Sequence, residues 1–78
     1  MQLSYDPKYN IGYIQLRSKT SEVESIKISD ELIIDIAPDG SVYGIELLNA
    51  NQQLQGEEGK LLVINEETGE KVDFSLSI

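Results

Sequence analysis

The sequence predicts an α+β domain: a mostly antiparallel β-sheet of five to seven short strands, joined as hairpins and a meander, with one short α-helix after the fifth strand. Three observations predict it. Apolar and polar residues alternate in several short runs, most strictly where Val72, Phe74, Leu76 and Ile78 interleave with Lys71, Asp73, Ser75 and Ser77. Turn-forming residues interrupt those runs at short intervals, as Asp6-Pro7, Pro38-Asp39-Gly40 and Thr68-Gly69. From Leu47 through Ala50 to Leu54 the apolar spacing changes from two to three and four, which is helical.

The first strand carries Leu3 and Tyr5 on one face, and "DPKYN" supplies the turn, with Pro7 presetting φ after Asp6. The second places Ile14 and Leu16 on one face and Tyr13, Gln15 and Arg17 on the other. "SKTSE" is a polar connector. "VESIKIS" sets Ile26 and Ile28 together on a strand with one wet side. "DELIIDIA" puts Leu32, Ile34 and Ile36 on one face and Ile33 and Asp35 on the other, so both sides of this strand are expected to be partly covered.

Ala37-Pro38-Asp39-Gly40 has the residue pattern of a type I turn. In the strand that follows, Gly44 lacks a side chain to pack, which points to a bulge or to close approach by another backbone or ring. Asn49 and Gln52 have the spacing of a capping box, and Gly56 is placed to end the helix. That helix is at most two turns long, too short to persist without packing on the sheet. "QGEEG" is the expected flexible joint. "LLVINEETGEKVDFSLSI" then gives a hairpin with Gly69 where φ must be positive.

The chain of 78 residues is expected to be a single domain, 1–78, near the size at which one core suffices without staples. It contains neither Cys nor His, which excludes disulfides, thiolate nucleophiles and Cys-ligated zinc, and removes the commonest general base at neutral pH. The net charge of -8 is uneven: residues 1–30 balance four acids with four bases, whereas residues 31–78 hold ten acids against Lys60 and Lys71. Such a chain repels nucleic-acid phosphates and anionic membranes, so neither is expected as a partner. The segment "MQLSYDPKYN" lacks a basic n-region and an apolar h-region, and apolar runs are short, so a cytoplasmic location is expected.

Carboxylates are the only plentiful reactive groups. Catalysis of the glycosidase type needs two of them across a cleft, and the candidates are Asp35, Asp39 and Glu46. Asp39 suits a turn, and the other two suit a wet or interfacial sheet face. No calcium-loop spacing and no phosphate-binding glycine pattern occurs, so no metal or cofactor is expected, and the chain is read as non-catalytic. Tyr9, Tyr13 and Tyr43 form the candidate interaction surface, because Tyr is amphipathic and favoured at interfaces. A small core favours a homo-oligomer, a dimer, with a basic protein partner as the other expectation. A small-ligand binder would instead need an apolar pocket near Tyr13 and Tyr43.

"YDP", "YIQL" and "DIAPDGSVYGIELLNA" resemble the domain-of-unknown-function 2283 family of small prokaryotic proteins over residues 3–54. The most specific part runs from Asp39-Gly40 to Ala50. Asn10-Ile11-Gly12 departs from the family's small-residue and Asp segment, and Asn49 replaces its usual Asp. The resemblance implies a compact antiparallel sheet with a short helix, and no established activity. It leaves open an antitoxin-like role, neutralising a basic toxin. The hairpin at 60–78 lies beyond this core and rests on its own pattern.

Overall fold

Among the described residues, seven strands and one helix follow in the expected order: β1 (Gln2–Asp6), β2 (Ile11–Gln15), β3 (Glu24–Ser29), β4 (Leu32–Ile36), β5 (Val42–Leu48), α1 (Ala50–Gln55), β6 (Lys60–Ile64) and β7 (Lys71–Ser75). The computed structural model describes residues 1–18, 22–56 and 58–76. Most of the polar connector, the centre of the joint and the last two residues of the alternating run lie outside these. Five strands form an antiparallel sheet in the order β1-β2-β5-β4-β3, and β6 and β7 form a separate antiparallel pair.

The turns form for the reasons their residues give. Asp6 Oδ1 accepts the backbone N–H of Lys8 at 2.9 Å, folding the β1–β2 connection back. Gly40, at φ 91°, donates its N–H to the Ala37 carbonyl at 2.9 Å, closing the β4–β5 turn. Asn65 Oδ1 accepts the N–H groups of Glu67 and Thr68, and Gly69 takes the positive φ expected of it.

Register turns the alternation into two faces. Leu3, Ile14, Ile45, Ile34 and Ile26 pair in succession, making one apolar row across all five strands. On the other face, Ser4, Tyr13, Glu46, Ile33 and Lys27 form one row, and Gln2, Gln15, Gly44, Asp35 and Ser25 form the next. Helix α1 lies on the apolar face. Gly12 permits this approach, since a Cβ there would stand 3.1 Å from Leu54 Cδ1 and 3.3 Å from Ala50 Cβ. Ala50, the contact residue, is wholly buried.

The start of the helix differs from its sequence reading. Asn49 Nδ2 does reach Gln52 Oε1, at 2.7 Å, but Asn49 adopts a left-handed backbone (φ 55°) and its side chain caps no backbone N–H. The cap comes from Asn10, itself left-handed (φ 56°), whose Oδ1 accepts the Asn51 N–H at 2.8 Å. Its Nδ2 donates to Asn51 Oδ1 at 2.7 Å and to Asn49 Oδ1 at 3.2 Å, and the Tyr5 hydroxyl donates to its Oδ1 at 3.2 Å. One amide in the first turn therefore ties β1, β2 and the helix entry together.

Candidate functional site

The polar face gathers two of the candidate carboxyl groups around Tyr13. Tyr13 stands opposite Glu46 in register and leans diagonally over Gly44 of the same strand; a Cβ at Gly44 would run into the Tyr13 hydroxyl and Cζ. The close approach that Gly44 signalled is thus made by this ring. A bulge adjoins it, for Asp35 pairs with Gly44 but Ile36 pairs with Val42, leaving Tyr43 as the extra residue.

Across the strand, the Tyr13 hydroxyl donates to Asp35 Oδ2 at 2.8 Å and the Ser25 hydroxyl donates to Oδ1 at 2.6 Å. Asp35 is only 7% exposed, so these bonds replace water around a carboxyl that could not otherwise stay buried. Burial, and then the hydrogen bond to Asp35, push the Tyr13 phenol up to about 12, with the negative charge of Asp35 and Glu46 adding to it.

The fold favours the protonated phenol, so its contribution is whole below the unfolded value near pH 10 and is lost as pH rises toward 12. The urea midpoint of the native chain is therefore expected to fall between about pH 10 and 12, and Tyr13→Phe to lessen that fall. Equal slopes in the two proteins would show that Tyr13 is not held in this way.

The remaining predicted residues lie elsewhere. Asp39 sits in the exposed β4–β5 turn, where the backbone N–H of Ser41 and then its hydroxyl hold the carboxyl below the usual carboxylate range. Tyr9 is exposed in the β1–β2 turn with Lys8 Nζ 5.2 Å from its ring centre, and the Arg17 guanidinium lies 5.8 Å from the Tyr43 ring. The three tyrosines therefore occupy three separate settings. An open cavity of about 260 Å³ is lined by Glu22, Val23, Glu24, Ile36, Ala37 and Pro38, and Asp35, Asp39 and Glu46 are not among its lining residues. Among the described residues no group of three or more acids could hold a metal ion, and no helix is long and apolar enough to cross a membrane.

The apolar face carries the feature that sequence reading left unplaced. No large side chain among the described residues is fully buried. The apolar row ends in exposed Ile26 on one edge and Leu3 on the other. Beside Leu3, a cavity of about 300 Å³ is lined by Met1, Leu3, Ile14, Leu54, Leu61 and Leu76, joining sheet, helix and C-terminal hairpin in one apolar surface. In the hairpin, Leu61 faces Phe74 and Val63 faces Val72 in register, so these four share one side, and each is between 43% and 53% exposed. Alternation marks these residues as apolar but does not reveal that about half of each stays exposed.

Fold and surface together define a small antiparallel β domain with an open apolar sheet face, its polar face closed by a Tyr–Asp–Ser cluster. The family model described as "Protein of unknown function (DUF2283)" matches residues 2–51, and the chain belongs to that family. The match takes in β1 to β5 and the helix entry, and the β6–β7 hairpin lies beyond it. No significant match was found among curated proteins or among solved structures.

Proposed function

We propose that this chain is a non-catalytic domain that acts by associating with a second copy of itself. One observation carries the reading. The chain exposes 5920 Å², whereas a compact monomer of 8.7 kDa exposes about 4,700 Å². The excess of about 1,200 Å² exceeds the roughly 800 Å² that each partner buries in a stable complex. The radius of gyration, 14.1 Å, likewise exceeds the roughly 11.5 Å of a compact domain of this length. A non-catalytic role fits the placement of the carboxyl groups, with Asp35 bonded to Tyr13 and Ser25 and Asp39 out in a turn. Of the three tyrosines, Tyr9 has the exposure to serve as a rim contact, whereas Tyr13 is engaged by Asp35.

A second reading, a basic protein partner of the antitoxin kind, is favoured by the acid-rich C-terminal part and the exposed Glu66, Glu67 and Glu70 at the hairpin tip. The strongly acidic chain is not suited to nucleic acid or anionic membranes. Sedimentation of the purified chain at micromolar concentration tests the two readings. A mass of twice 8.7 kDa that persists at high salt is expected, because apolar association is not screened. A monomer at every concentration and salt would overturn self-association and leave the basic partner as the reading to pursue.

A further inference from the structure

Resting on self-association, the geometry points to how the two copies meet: we propose that each copy lays the Leu61–Val63–Val72–Phe74 side of its β6–β7 hairpin over the Ile26–Ile28 end of the other's apolar sheet face, reciprocally about a two-fold axis.

An isolated two-stranded hairpin is marginal in water and needs a further layer. This hairpin has few contacts with its own five-stranded sheet, meeting it chiefly at the cavity where Leu61 and Leu76 reach Leu3, Ile14 and Leu54. Beyond that cavity Val63, Val72 and Phe74 lie open. On the sheet, α1 packs against Gly12 of β2, whereas Ile26 and Ile28 of β3 are 40% and 57% exposed. Hairpin side and sheet end are thus two open apolar surfaces on one chain.

A second copy is the occupant that satisfies both. Packing the two hairpins on each other would cover only four side chains per copy and leave Ile26 and Ile28 wet, well short of about 800 Å² per partner. The reciprocal arrangement uses hairpin and sheet of both copies, so each chain contributes two apolar patches to the contact instead of one. It also closes under a two-fold axis, since the same two patches are used on each chain. The hairpin's other side carries Lys60, Lys71 and Asp73 around Leu62 and Ile64 and suits the outside of such a pair.

Sedimentation of full-length chains decides. The native chain is expected to be a dimer at micromolar concentration; Phe74→Glu and Ile26→Glu, on opposite sides of the contact, should each raise the dissociation constant about 30-fold or more. Leu62→Glu, on the outer side, should leave it unchanged. A monomeric native chain would overturn self-association and this inference with it. A native dimer insensitive to both Phe74→Glu and Ile26→Glu would overturn the hairpin arrangement alone. If a charged variant fails to fold, cross-linking decides instead, for the native chain has no Cys. A mixture of Val63→Cys chains and Ile26→Cys chains should yield mixed disulfide-linked pairs on oxidation. Links only between like chains, or none, would overturn the proposal.

Discussion

Gly44→Val is expected to destabilise the fold by about 3 kcal/mol, the sum of a lost charge-assisted hydrogen bond and a displaced ring. The added Cβ would meet the Tyr13 hydroxyl and ring, and a ring cannot bend aside as an aliphatic chain can. Tyr13 must then swing out, which strips Asp35 of the Tyr13 hydroxyl donor while leaving the carboxyl buried. In a domain of this size about 3 kcal/mol corresponds to a fall in Tm of roughly 12–24 °C, readable by circular dichroism. Tyr13→Ala in the same chain should make Gly44→Val far less costly, because the obstacle is gone, and a double-mutant cycle measures that coupling. Additive losses would show that the ring does not rest on Gly44.

Asn10→Ala is expected to cost about 2–3 kcal/mol. The amide takes part in four side-chain hydrogen bonds that join the first turn to Tyr5, Asn49 and Asn51, and an alanine at φ 56° also bears the left-handed penalty that asparagine tolerates. Asn10→Gly removes the backbone part of that loss and retains the hydrogen-bond part, so it should fall between alanine and the native residue. Helix α1 depends on this clasp and on the Gly12 contact, being too short to stand alone. Hydrogen exchange at Asn51 to Gln55 should therefore accelerate in Asn10→Ala before the sheet amides do. Unchanged protection there would mean that the helix is held by Leu54 and Ala50 alone.

These two sites mark where sequence reading succeeded and where it stopped. Strands and turns were legible because their causes are local: alternation gave β7 and β4, and Asp6, Gly40 and Gly69 announced their turns. Gly44 was legible as a place something must approach, since glycine is otherwise wasteful in a strand. Which ring approaches depends on β2 lying beside β5, a pairing that no local pattern encodes. Asn49 and Gln52 have the spacing of a capping pair, yet the cap arrives from Asn10 through the same long-range pairing. Of the candidate groups, Tyr13, Asp35 and Glu46 do converge, whereas Tyr9, Tyr43 and Asp39 do not join them. Exposure is the least legible property: Val63 and Phe74 follow the pattern of a core, yet in the folded chain each is about half exposed.

Edge strand β3 also bears on what kind of assembly such a chain can form. Its pairing with β4 slips between Lys27 and Ser29, and it presents Glu24 and Lys27 along a wholly exposed strand. A kinked, charged border of this kind is a poor template for another strand to extend. Growth by adding sheet to sheet, the route to open-ended fibres, is therefore obstructed at that border.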